Sequence, residues 1–152
     1  MKKILIITFL FFQSQLNAEE YVGSIILSDS TIYTFELNLI INKENITGYS
    51  ITNYGTSSET KSSIEGTFDK TKNKYEIIEK QIIYTKSNES IKNFCHLRID
   101  LSEKGYYKSK RLEGEFIGYY DNNKKCTEGK IILFKKEKLK KIEKKINKRI
   151  KK

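Results

Sequence analysis

The stretch "TIYTFELNLII", Thr31 to Ile41, sets Tyr33, Phe35, Leu37, Leu39 and Ile41 at every second position, with Thr34, Glu36 and Asn38 between them. A period of two is that of a strand with one buried and one wet face. The pattern recurs along the chain. "FCHLRIDLS" (94–102) puts Cys95, Leu97, Ile99 and Leu101 on one face and His96, Arg98 and Asp100 on the other. "RLEGEFIGYY" (111–120) alternates Leu112, Gly114, Phe116, Gly118 and Tyr120 against Glu113, Glu115, Ile117 and Tyr119. Further strands are expected at 21–27, 46–52, 62–68, 74–85 and 126–134, which makes about eight, with no helix between them.

Eight sequential strands joined by short turns such as "NKEN" and "DKTKN" predict an all-β fold, an antiparallel meander closed into a barrel. Closure removes the two edges that an open sheet would expose. Single glycines within strands (Gly48, Gly66, Gly114, Gly118, Gly129) fit the tight bends of a small barrel. A two-sheet sandwich is the alternative architecture.

The ends of the chain differ from this body. Lys2 and Lys3, the apolar run Ile4–Phe12 and the small Ala18 follow the order of a secretory signal peptide. Such an apolar run is too short for a stable membrane span. Residues 1–18 are therefore expected to be a signal peptide and 19–134 a barrel domain, exported to the periplasm or beyond. The Lys-, Ile- and Asn-rich composition fits an AT-rich bacterial genome. In an oxidising compartment Cys95 and Cys126 are expected to pair, a constraint of roughly 3–4 kcal/mol in the chain-entropy model.

Residues 135–152, "KKEKLKKIEKKINKRIKK", hold eleven of the chain's 29 Lys and Arg and two Glu. The formal net charge of +10 thus belongs mainly to the tail, and the barrel domain is close to neutral. A basic face across the domain, as nucleic-acid binding asks, is not indicated. Leu139, Ile142, Ile146 and Ile150 would form one apolar stripe on a helix. Lys138, Lys141, Lys145, Lys148, Arg149 and Lys152 are the candidate contacts to an anionic surface such as a membrane. A frayed, solvated tail and docking of the stripe on the barrel mouth or on a second copy are the alternatives, and nucleic acid ranks behind the membrane and docking.

The run "GSIIL…YTFELNLIINKENITGYS…SSIEGTFDKTKNKYEI" resembles avidin-like and lipocalin-like barrels in layout. The second half, "FCHLRIDLSEKGYYKSKRLEGEFIGYYDNNKKCTEGKIIL", is similar to small exported bacterial barrel proteins of unassigned role with a Cys…Gly…Cys-x-x-Gly pattern. The resemblance implies a barrel over 19–134. It carries over no functional residue: the chain has no Trp, Tyr21 stands where a strand-one Trp is usual, and biotin binding is not implied.

Residue types that carry catalysis are sparse. His96, the single histidine, falls on the outer face. No nucleophile elbow, phosphate loop or paired zinc histidines occur. Glu113 with Glu115, and Glu76 with Glu79, are the carboxylate pairs a glycan hydrolase would need. A solvated face is the simpler expectation, and no enzyme, cofactor or metal is expected. The sequons at Asn45 and Asn88 matter only under a glycosylating export pathway. Tyrosine joins an apolar ring to a polar tip, so Tyr33, Tyr49, Tyr75, Tyr84 and Tyr120 are the candidate contacts to a small ligand or envelope protein partner. The expected function is an exported binding or envelope-associated module, with a carboxylate hydrolase or a purely structural barrel as alternatives.

The exported chain is expected to begin at Glu19 and to gain two hydrogens' mass on reduction, both read from its intact mass. Retention of residues 1–18 would remove the export reading.

Overall fold

A computed structural model describes residues 17–105 and 110–150; among the helix residues, the side chains of 145, 146 and 148–150 fall outside the description. Of the expected signal peptide 1–18, residues 1–16 lie outside the described residues, whereas Asn17 and Ala18 begin the first strand, paired with Ile41 and Ile40. Eight strands follow one another: β1 (Asn17–Leu27), β2 (Ile32–Asn42), β3 (Asn45–Thr52), β4 (Thr60–Asp69), β5 (Lys74–Thr85), β6 (His96–Lys104), β7 (Arg111–Tyr119) and β8 (Lys125–Lys135). A helix, α1 (Lys136–Ile150), continues from β8 without a break. Each strand pairs antiparallel with the next, and β1 pairs with β8, so the meander is a closed barrel. The closing seam runs from Tyr21 opposite Lys135 to Leu27 opposite Gly129. The sandwich alternative is thereby set aside.

The alternation read in the sequence becomes the inside and outside of the barrel. Phe35, Leu37 and Leu39 of β2 point inward beside Leu97, Ile99 and Leu101 of β6, Leu112 and Phe116 of β7, and Ile131 and Leu133 of β8. Removing these side chains from water is the main favourable term of the fold.

The two ends differ. At the end holding the β2–β3, β4–β5 and β6–β7 turns, Tyr21, Tyr75 and Phe68 close the interior; Phe68 and Tyr75 stack with ring centroids 4.5 Å apart. The opposite end carries the β1–β2, β3–β4, β5–β6 and β7–β8 connections and is open. Two features of β5 explain the opening. Its pairing with β4 skips Lys80 and Ile83, two bulges that bend the strand and break its alternation. Its pairing with β6 ends at Ile78 opposite Arg98, although β5 runs on to Thr85.

The gap between β5 and β6 is bridged from the other side. Cys95, just before β6, is disulfide-bonded to Cys126, with Cα atoms 6.3 Å apart. Cys126 is the extra residue where β7–β8 pairing shifts, Gly118 facing Thr127 and Tyr119 facing Lys125. The bridge lies over Gly118, where a Cβ would stand 2.3 Å from the Cys95 Sγ and 2.8 Å from the Thr127 methyl. Only a residue without a side chain leaves room there.

Gly118→Ala is expected to lower unfolding free energy by about 1–3 kcal/mol through overpacking. The same change in a Cys95→Ala/Cys126→Ala background is expected to cost less, because the nearest sulfur is gone. Equal costs in the two backgrounds, read by urea unfolding, would contradict this packing account.

Candidate functional site

The open end holds a cavity of about 440 Å³, within the range of small-ligand pockets. Leu27, Tyr33, Thr52 and Asn53 line it from β1, β2 and the end of β3; Ser58, Thr60 and Ser62 from β4 and its approach; Glu79 and Ile82 from β5. The β5–β6 connection adds Ser87, Glu89, Phe94 and Cys95, and Leu97, Tyr120, Cys126 and Thr127 complete the wall. Aromatic and aliphatic surface is thus interleaved with hydroxyls, as a small-molecule site requires.

Glu79 stands where the packed core stops and the cavity begins. It follows Tyr75 and Ile77 on the inward side of β5 and is only 6% exposed. Its Oε2 accepts the Leu97 N–H at 2.9 Å, and its Oε1 accepts the Ser50 hydroxyl at 2.5 Å. The Leu97 contact has a backbone cause. The β5–β6 ladder has just ended at Ile78 and Arg98, and an unpaired buried N–H costs free energy comparable to a lost hydrogen bond. The carboxyl takes the place of the missing strand partner. Burial nevertheless disfavours its charge: it raises the Glu79 pKa to about 7, against the two hydrogen bonds, which lower it.

The rim is held by a second carboxylate. Glu59, in the β3–β4 connection, accepts the Gly55 N–H at 2.7 Å, the Tyr84 hydroxyl and the Lys86 ammonium at 2.9 Å. The Tyr84 bond, then the Gly55 and Lys86 bonds, bring its pKa down to about 2. The Lys86 N–H also donates to the Glu59 carbonyl at 2.9 Å, so the β3–β4 and β5–β6 connections are joined beside the mouth.

Of the five tyrosines singled out as ligand contacts, Tyr33 and Tyr120 line the cavity. The other three lie elsewhere. Tyr75 belongs to the closed end, where burial and then the Glu19 charge push its hydroxyl up to about 12. Tyr49 is on the outside of β3, under the Lys61 ammonium at 3.6 Å from its ring centroid. Tyr84 points outward after the second bulge, its hydroxyl taken by Glu59. Tyr119, next to Tyr120, lies outside under Arg98 at 4.6 Å.

The two carboxylate pairs differ. Glu76 is outside β5 with Lys74 at 2.9 Å, while Glu79 is inside. Glu113 and Glu115 share the outer face of β7 near Asp100, Glu113 paired with Arg111 and Glu115 exposed to solvent. His96 is on the outer side of β6, its Nε2 3.3 Å from Asp121. No three potential metal ligands cluster among the described residues. A larger groove of about 620 Å³ crosses the outside of β6, β7, β8 and β1; Arg98, Asp100, Glu115 and Lys130 give it both charges, and among the described residues no buried polar side chain lines it.

The role of Glu79 was legible in one respect: Tyr75, Ile77 and Glu79 share a strand face, so an acid occupies a core position. Its partners Ser50 and Leu97 were not, because they come from strands whose spatial register the sequence does not print.

Comparison with family models, curated proteins and solved structures gave no match in any of the three. The likeness to small exported barrels therefore extends to the barrel architecture and no further.

A group whose folded pKa is raised stabilises the fold below its unfolded value, and that contribution is lost as pH rises through the folded one. Glu79 is expected to remove roughly 3 kcal/mol of stability between about pH 4.5 and about pH 7. Glu79→Gln can still accept from Leu97 and can donate to Ser50, as the protonated acid does. Urea unfolding should show a flatter pH dependence for this variant over that window. An unchanged slope would contradict the assignment.

Proposed function

We propose that this chain is an exported, non-enzymatic binding protein whose open barrel end takes up one small ligand, while the basic helix at the other end rests on an anionic surface. The observation that carries the reading is the cavity with a buried carboxyl at its floor. A barrel serving only as a scaffold gains most from a filled apolar interior, and burying a carboxyl costs stability. Here one end is packed and the other is left open around Glu79, at the cost of the pH-dependent stability derived above. The disulfide is compatible with an oxidising, exported location.

The tail sits at the closed end. Lys135 binds Glu19 at 2.5 Å, and Lys136 lies 3.4 Å from Glu36 and 3.7 Å from Glu20. Of the apolar stripe, Leu139 and Ile142 have described side chains, and both are exposed, Ile142 by 53%. They are not buried on this barrel, and α1 starts at the end away from the cavity, so it does not plug the mouth. Lys138 lies near the helix start beside Lys110 and Arg111, and Lys141 is exposed. Lys145, Lys148 and Arg149 follow on α1 with side chains outside the description, and Lys152 lies outside the described residues. No helix among the described residues is long and apolar enough to cross a membrane, so the fitting arrangement is a helix lying on the surface. A hydrolase of envelope glycans working from this cavity would have to pair Glu79 with Glu89, since Glu76 lies outside β5 and Glu113 and Glu115 lie on the outer face of β7.

Truncation after Lys136 keeps the ion pairs to Glu19, Glu20 and Glu36 and removes the stripe. Each Lys or Arg near an anionic surface contributes on the order of 1 kcal/mol. The full chain is therefore expected to co-sediment with phosphatidylglycerol vesicles at low salt, and the truncated chain to lose at least about tenfold in affinity. Equal binding by the two would remove the tail's role. For the barrel end, a native mass spectrum of protein taken from its own exported fraction is expected to show a stoichiometric small molecule. A chain that never carries one, under any growth condition, would count against the carrier reading.

A further inference from the structure

We infer that the ligand of the barrel cavity is a small organic cation, an amine or quaternary ammonium attached to an apolar body, with its charge at Glu79. This rests on the small-ligand reading above and names the chemical class. Three features of the cavity carry it.

The first is the sign of the lining. The chain has 29 Lys and Arg, yet among the described residues no Lys, Arg or His lines this cavity. Its ionisable lining groups are Glu79, Glu89, Tyr33 and Tyr120, all of which are neutral or negative. An anionic ligand would meet no positive side chain here.

The second is the geometry of Glu79. Its buried carboxyl uses one acceptor site on each oxygen, for Ser50 and Leu97. A carboxylate has about four such sites, so two are left for a donor arriving through the cavity. Ser50 from β3, Ser62 from β4 and Leu97 from β6 pack near it, and none is charged. A cation entering from the mouth would be its first charge partner.

The third is the company of aromatic rings. Tyr33, Phe94 and Tyr120 line the same cavity. Ring faces attract desolvated cations, a usual means of holding ammonium groups. The basic helix does not oppose this. It begins at the far end of strands up to twelve residues long, a barrel height of roughly 20–30 Å against a Debye length of about 8 Å.

Cation binding has to ionise Glu79, so affinity should follow its titration. Below its pKa only the ionised fraction is competent, and apparent affinity falls with that fraction. From about pH 6 to about pH 8, 2-phenylethylamine is expected to bind roughly tenfold more tightly, since the amine stays protonated while Glu79 ionises.

The test is an NMR titration of the oxidised protein with 2-phenylethylamine, 2-phenylethanol and 3-phenylpropionate, read at the Leu97 amide and at Tyr33 and Tyr120. The amine is expected to saturate these signals at least about tenfold more tightly than the alcohol, with the propionate weakest. Glu79→Gln should remove that advantage. The pH dependence on the unmodified chain repeats the test should the variant fail to fold. If the alcohol or the propionate binds as well as the amine, or the amine shows no pH dependence, the cation inference falls and the small-ligand reading stands. If none of the three perturbs the cavity signals, both readings fall.

Discussion

The bond between the Glu79 carboxyl and the Leu97 N–H is the point on which the two halves of this barrel depend. Eight strands that close through β1 and β8 have no free edge, but β5 and β6 stop pairing at Ile78 and Arg98. Below that level the interior is packed mainly by aliphatic and aromatic side chains. Above it the strands part, the β5–β6 connection swings out, and the interior becomes a cavity. A backbone N–H at such a boundary needs a partner, and no strand supplies one. The side chain of Glu79 does, and its other oxygen ties β5 across to Ser50 of β3.

That arrangement links stability to function. A leucine at position 79 would extend the core but would leave the Leu97 N–H unpaired. A carboxyl satisfies it and carries a charge the interior does not readily accept. The result is an acid whose pKa is raised by burial, at the floor of a space lined by tyrosines, a phenylalanine and hydroxyls. The parting strands are held by other means. The Cys95–Cys126 bridge, packed over Gly118, fixes β6 to β8, and Glu59 joins the β3–β4 connection to the residues after β5. The mouth is therefore a framed opening, with the basic helix at the opposite pole.

Much of this architecture could be read from the sequence because a strand buried on one side writes its inside and outside in alternate residues. The runs 31–41, 94–102 and 111–120 show this: Phe35, Leu37, Leu39, Leu97, Ile99, Leu101, Leu112 and Phe116 are in the core, and Tyr33, Cys95 and Tyr120 line the cavity. The cysteine pairing was also legible, from the number of cysteines and the expected compartment. What could not be read was register. The bulges at Lys80 and Ile83 break the period of two within "KYEIIEKQIIYT": the first brings Ile82 to the inner side opposite Ser62, and the second returns Tyr84 to the outer side. Five tyrosines looked alike as strand residues, yet only Tyr33 and Tyr120 line the cavity: Tyr75 lies at the closed end, and Tyr49 and Tyr84 face outward. Glu76 and Glu79 looked like a pair because their spacing is short. An odd spacing on a regular strand puts them on opposite faces, and in the structure one is wet and the other is buried.

The most direct test of the account is a carbon-detected NMR titration of the Glu79 carboxyl, assigned by its loss in Glu79→Gln. The account predicts a midpoint near pH 7, with the Leu97 amide shift following the same curve. A midpoint near the ordinary value of 4.5, or a Leu97 amide indifferent to it, would mean that Glu79 is not the buried carboxyl at the cavity floor. The binding site built on it would then fall.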